Sequence, residues 1–265
     1  MKKKITLVTS LLISMGSIMT GCNLVETPLT KTVSINDVED ISNEHFDSID
    51  IEVETVKVNL IPVKSAEEQK VELIGDGQKG IEKDLKVKEM GNTLYISLKS
   101  KDIISLGYKN LDLDLNIYVE EKKYDEIDFK GSVSKLLVKD LSVNEINSDL
   151  NTGKIKMDNV ETNKIIAHVN TGDIDLNDFK GAINATTNTG DVLIFTKKIT
   201  DSISAKVNVG NINIETEEKP NNVEINAKTN VGKVKLYDKR VKNLVIGDGE
   251  IEMKLKTQTG SIIVN

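Results

Sequence analysis

Apolar and polar positions alternate along most of this chain, and the alternation is organised around six glycines. They sit in Asn-Thr-Gly-Lys-Ile (151–155), Asn-Thr-Gly-Asp-Ile (170–174), Asn-Thr-Gly-Asp-Val (188–192), Asn-Val-Gly-Asn-Ile (208–212), Asn-Val-Gly-Lys-Val (230–234) and Gln-Thr-Gly-Ser-Ile (258–262). From Gly153 through Gly172, Gly190, Gly210 and Gly232 to Gly260 the steps are 19, 18, 20, 22 and 28 residues. Seven residues before each glycine stand Ile146, Ile165, Ile183, Ile203, Ile225 and Met253; five before stand Ser148, Ala167, Ala185, Ala205, Ala227 and Leu255. Two after stand Ile155, Ile174, Val192, Ile212, Val234 and Ile262. A period of two is that of a strand with one buried face. It places positions −7, −5, −3 and −1 on one face with +2 and +4, so the inward phase slips by one residue at the glycine. A slip of this kind needs a bend, and glycine supplies the backbone freedom for it. Each turn then reads as two short strands joined at a corner, with alanine at −5 implying a narrow interior.

A repeat near 20 residues is too short to own a core and must bury its apolar side against its neighbours. The expected fold is therefore all-β: an elongated β-solenoid or β-helix-like stack, with regular turns over about 143–265. Ahead of it, Ile49, Ile51 and Val53, then Val56, Val58 and Leu60, and the long alternation Leu111 to Val119 predict a wider, sheet-like start. Gly131, 22 residues before Gly153, marks an earlier, degenerate turn. Short helical turns are expected only near Ser65–Gln69 or Gly80–Asp84. Asparagines two before the glycines, Asn151, Asn170, Asn188, Asn208 and Asn230, predict a polar ladder or turn former.

The first residues follow another logic. Lys2–Lys4 precede an apolar run, Ile5 to Met19, which ends in Met19-Thr20-Gly21-Cys22. This is the order of an export signal, and its end resembles a bacterial lipobox. Cys22, the sole cysteine, is the expected lipidation site. The predicted organisation is a lipoprotein signal peptide at 1–21, a flexible tether at 22–44 and one β-solenoid-like domain at 45–265. The protein is then expected on the outer face of the cell membrane, held there by its lipid.

Composition narrows the chemistry. Without residues 1–21 the chain keeps 32 basic against 42 acidic residues, a net charge of −10, which disfavours nucleic acid as a partner. Arg240 is the only arginine and tryptophan is absent, so neither bidentate phosphate clamps nor indole platforms for sugars are available. His45 and His168 are far apart in sequence, and runs of the Gly-x-Ser-x-Gly, His-Glu-x-x-His or Walker type are absent. Asp173, Asp175 and Asp191 fall near one edge and are the candidates for a weak Ca²⁺ site, although Lys154, Asn211 and Lys233 share their column on other turns. No cofactor, catalytic residue or other metal site is expected.

From about Phe46 onward the chain resembles the DUF4097 family. The resemblance rests on Phe46-Asp47-Ser48-Ile49-Asp50-Ile51, on the strand at 111–119 followed by Lys122-Lys123-Tyr124-Asp125-Glu126-Ile127, and on the Asn-Thr-Gly-Asp-Ile runs. It implies a β-rich, solenoid-like envelope domain of adhesin type, with no catalytic residues to carry over. The function expected is a non-enzymatic, lipid-anchored envelope protein that presents its surface to an envelope protein or a glycopolymer. The alternatives are a sensing component of an envelope-stress response, as in Lia-type systems, and a polysaccharide-active enzyme on a β-helix scaffold.

Overall fold

The structure is a computed structural model that describes residues 32–78, 84–99 and 112–265. In chain order its strands are β1 (Thr32–Asp40), β2 (Ser48–Val63), β3 (Lys70–Gln78), β4 (Leu85–Met90), β5 (Thr93–Leu98), β6 (Asp112–Glu120) and β7 (Lys123–Thr189). They continue as β8 (Val192–Thr196), β9 (Ile203–Val209), β10 (Ile212–Thr216), β11 (Val223–Val231), β12 (Val234–Leu236), β13 (Asn243–Ile246), β14 (Ile251–Thr259) and β15 (Ile262–Val264). A 3-10 turn, Ala66–Glu68, is capped by Ser65 in a capping box with Glu68. It lies at the first of the two expected places; the second falls largely outside the described residues.

The fold is an all-β, solenoid-like coil. β2 runs through a bend, so its first half pairs in parallel with β5 and with 126–131 of β7, and its second half with β6 and 133–138 of β7. β7 winds on itself at a spacing of 18–19 residues, which places Gly172 against the Gly153 carbonyl and Gly153 against that of Ser134. The two sides then continue as separate parallel ladders. One runs β7–β8–β10–β15–β12, the other β7–β9–β14–β11. Antiparallel strands lie at both ends: β6–β3–β1 and β5–β4 at the start, and β13 against β11 at the finish. A parallel strand pair needs a return path between its members, and in a solenoid the rest of each turn is that path.

The interior is one continuous apolar cluster. Its inward columns are those expected at −7, −5, −3, +2 and +4, with Val234 and Thr229 only partly buried. Position −1 is a correction. Thr152, Thr171, Thr189 and Thr259 are exposed, as are Val209 (52%) and Val231 (65%). The chain leaves the inward phase after −3, so both residues ahead of the glycine lie on the outside of the bend.

Four further expectations are corrected. Residues 32–40 of the supposed tether form β1, paired along its length with β3, and Ile35 and Ile41 are buried. Val33 and Ile35 share the inward parity, and Ile41, one residue past the strand, is buried in the same core. Ser134, not Gly131, occupies the corner place one layer before Gly153; a side chain at 131 would instead meet Leu150 and Phe129. The early turns have a third short side, Val160–Thr162, beyond a second corner where Asp140, Asn159 and Asp178 take φ of 53°, 53° and 46°. Asn and Asp tolerate this left-handed region better than other side chains. Finally, the last two turns are exchanged in space. β14 lies between β9 and β11, so Leu255 separates Ala205 from Ala227. Ala167, Ala185 and Ala205 share the −5 wall, but Ala227 is not next to Ala205.

Candidate functional site

The corner carries the most regular polar chemistry in the molecule. Gly153, Gly172, Gly190, Gly210, Gly232 and Gly260 have φ between 136° and 148°. A Cβ at Gly190 would stand 2.1 Å from the Gly172 carbonyl oxygen, and one at Gly260 1.9 Å from that of Gly210. Both the backbone angle and the close approach of the layers therefore require glycine. Inward threonines at −3 fasten the same carbonyls: Thr187 donates to Gly172 O at 3.0 Å, Thr257 to Gly210 O at 3.0 Å and Thr229 to Gly260 O at 2.9 Å.

The amides two before the glycines form a ladder on the outside. Asn170 Nδ2 donates to Asn151 Oδ1 at 3.0 Å, Asn188 to Asn170 at 2.7 Å, Asn208 to Asn188 at 2.7 Å and Gln258 Nε2 to Asn208 at 3.1 Å. One place after the glycines a second ladder runs through the backbone. Asp191 N donates to Asp173 Oδ1 at 3.0 Å, Asn211 N to Asp191 Oδ1 at 2.7 Å and Ser261 N to Asn211 Oδ1 at 2.9 Å. Asp175 faces Lys154 Nζ at 3.2 Å. The three carboxylates proposed for calcium are thus in one neighbourhood, but each is engaged in holding a layer. Among the described residues no group of three or more His, Cys, Asp or Glu is placed to hold a metal ion.

His45 precedes β2, with Nδ1 3.0 Å from Asn43 O. His168 lies on the outward side of β7, in another layer, and the structure does not bring the two together. Cys22 lies outside the described residues. Open grooves flank the bend of β2: one lined by Glu52, Glu54, Lys99, Lys130 and Asp149, the other by Thr55, Lys57, Asp112, Val133 and Lys135.

A clamp joins the two sequence runs that carried the family resemblance. Phe46 and Tyr124 stack with centroids 6.1 Å apart, and both are buried. Tyr124 donates its hydroxyl to Glu120 O at 2.9 Å, and burial pushes the phenol well above its ordinary pKa. Lys122 lies over both rings and binds Phe46 O at 2.5 Å and Asp47 Oδ1 at 2.8 Å. Lys122, with Asn92 beside it, holds the Asp47 carboxyl below the usual range. No pattern along the chain signals this pairing, because residues 46 and 122–124 meet only through the sheet.

Such a coil, parallel within and capped by antiparallel strands, is a β-solenoid-like domain. The family model of Toastrack DUF4097 matches residues 110–265, and the chain belongs to this family. Among solved structures it is similar to a putative adhesin from Bacteroides fragilis, at 16% identity and TM-score 0.48, over 90% of this chain and 99% of that one. It is also similar to a putative cell adhesion protein from Clostridium sporogenes, at 14% identity and TM-score 0.44, over 88% and 99%. No curated protein matches the chain.

Proposed function

We propose that this chain is a non-enzymatic, lipid-anchored protein of the outer face of the cell membrane, which presents its β-solenoid surface for binding or adhesion. The observation that carries the reading is how the outward polar groups are used. The amides and carboxylates at the corners are bound to their counterparts one layer away. What faces solvent is a set of broad, regular sheet sides, a geometry suited to contact. Turnover needs an acid, a base or a nucleophile converging on one atom, and no such convergence supports an enzymatic reading among the described residues. The anchor rests on the Gly21-Cys22 end of the leader, and the partner is an envelope protein or a glycopolymer.

The test compares the full chain with its Cys22→Ser variant in cells. The native chain takes up labelled fatty acid, stays with the membrane and is reached by a protease added outside; the variant is released or left unprocessed. Cross-linking on intact cells captures an envelope partner with the native chain. Unchanged processing and membrane retention in the variant overturn the anchor, and release of sugar from wall polymers by purified protein overturns the non-enzymatic reading.

A further inference from the structure

The sheet side made by positions −8 to −4 changes sign along the stack. In its first layers Asp50 and Asp128 are direct neighbours, with Glu126 beside them. Burial, and then the Asp128 charge, raise the Asp50 carboxyl; the same two causes lead for Glu126. Thr186 and Asn184 make the middle neutral. In the last layers the −4 column becomes lysine: Lys206 is paired with Lys256, and Lys256 with Lys228. All three are exposed, and none has a carboxylate within ion-pair distance among the described residues. Like charges directly across neighbouring strands repel, and adjacent strands are only about 4.8 Å apart. The strip continues past Lys228, because Ala227 N donates to Lys242 O, which brings the exposed Arg240–Lys242 segment alongside. Acids on these strands are already engaged: Glu252 binds Lys254, and Glu224 accepts from Asn226. Beside the lysines runs the amide column Asn208–Gln258.

We propose that the Lys206–Lys256–Lys228 column is a binding strip for a linear polyanion, whose phosphates or carboxylates run along the stacking axis and cross the strands. The proposal rests on the reading of this protein as a binding surface and names the chemistry of its partner. A chain whose charges recur every ~5–10 Å meets one lysine per layer or per second layer. It relieves the repulsion that the column carries by itself, and the acidic layers at the other end of the same side confine it to the last turns. Lysine ammoniums act here as point charges, so the strip selects charge spacing over the identity of the anion. Without residues 1–21 the protein is acidic as a whole, with 32 basic against 42 acidic residues, so attraction of such a polymer rests on the local column and not on net charge.

The experiment uses the full chain in non-ionic detergent and two probes, inorganic polyphosphate and hyaluronate, which separate phosphate from carboxylate as the source of the charge. The variants are Lys206→Gln/Lys228→Gln/Lys256→Gln and, as a control on the acidic end, Lys99→Gln/Lys130→Gln. All five lysines are exposed, so every variant stays folded, and the triple variant, relieved of like-charge repulsion, melts no lower than the native chain. The native protein binds at least one probe at 50 mM salt. The triple variant binds it at least tenfold more weakly, and its slope of log affinity against log salt is shallower by about 2, at about 0.7 per charge removed from a single-stranded polyanion. The control stays within twofold. An unchanged affinity in the triple variant, or salt-independent binding, overturns the proposal. So does salt-sensitive self-association that the triple variant abolishes without polymer binding, since the lysines would then serve a second copy's acidic layers. If neither polymer binds while cells still capture a partner through the native chain, the strip is wrong and the broader reading stands. If the native chain is instead found on the cytoplasmic side, the broader reading fails whatever the strip binds.

Discussion

The first layers and the later turns hold strand upon strand with different side chains. Around β2 the contacts are large: Phe46, Tyr124 and Phe129 are buried together with a dense set of Ile and Leu, and Lys122 ties the rings to Asp47. From Gly153 onward the inward residues at −5 shrink to alanine in four turns, and the layers are registered by glycines, threonine hydroxyls and an amide ladder. The early region tolerates variety because each contact is a bulky, individually shaped one, and its strands are antiparallel as well as parallel. The later region is a lattice: whatever serves one layer must fit the layer above and below it. Such stacks derive their stability from neighbour to neighbour, so damage should spread differently in the two parts.

The largest test of this difference is truncation after Glu250. It removes β14 and β15, which lie between the β9–β10 turn and the β11–β12 turn. Met253, Leu255, Ile262 and Val264 are almost fully buried, and each contributes about 1.5–3 kcal/mol by burial. Amide exchange across 203–246 should accelerate by orders of magnitude, while β2, β5, β6 and 123–129 of β7 keep their protection. Loss of protection through the whole chain would show one cooperative unit in place of a neighbour-coupled stack.

Next come two glycines, one from each region. Gly190→Val places a branched side chain at φ 136° and within about 2 Å of a backbone oxygen; it should cost about 3 kcal/mol or more. Gly91, in the β4–β5 hairpin, also has positive φ, at 66°, but a Cβ there meets nothing within 4 Å. Gly91→Ala should therefore cost only the left-handed backbone, about 1–2 kcal/mol. Equal losses in urea melts would mean that backbone angle alone, and not layer contact, makes the corner glycines necessary.

How much of this was legible beforehand depended on whether a feature repeats. The −7, −5, −3, +2 and +4 columns could be read from the chain because six glycines put them in phase, and the amide ladder followed from the same alignment. Position −1 departs from this parity because the bend breaks alternation before its glycine, and four of the six residues there are threonine, which fits either side. The second corner at Asp140, Asn159 and Asp178 was hidden because no glycine announces it, although the 19-residue spacing of these residues was a signal. The exchange of the last two turns had a fainter one, the step of 28 residues between Gly232 and Gly260, long enough for the extra strand β13. The clamp of Lys122 on Phe46 and Tyr124 occurs once, so no periodicity pointed to it.

A finer test of the lattice uses adjacent residues of β9. Ala205 is buried and stands between Ala185 and Leu255, so Ala205→Leu overpacks a narrow layer and should cost about 1–3 kcal/mol. Ser204 has the opposite parity, and Ser204→Lys should change stability by no more than about 0.5 kcal/mol. Thermal melts of the two variants in parallel decide the register: the reverse order would put the inward face one residue away from where the burial places it.

The smallest effect concerns charge in the early region. Lys122 and Asn92 bind the Asp47 carboxylate and depress its pKa below the usual value near 3.8. Because the folded state favours the ionised form, this contact adds stability at neutral pH, and the contribution is lost as the pH falls through the depressed pKa. The melting temperature of Asp47→Asn should lie below that of the native chain above about pH 5 and converge with it in stronger acid. In the repeats, Lys180 likewise lowers Glu161 through a pair at 2.9 Å, but both side chains are about two-thirds exposed. Exposed pairs of that kind are screened by salt, whereas Lys122 is packed over two buried rings. Raising salt to 1 M should therefore erase the deficit of Glu161→Gln and leave most of that of Asp47→Asn. If salt erases both alike, Lys122 is held at Asp47 by charge alone, and the aromatic clamp adds nothing to the first layers that an ordinary surface ion pair does not give the repeats.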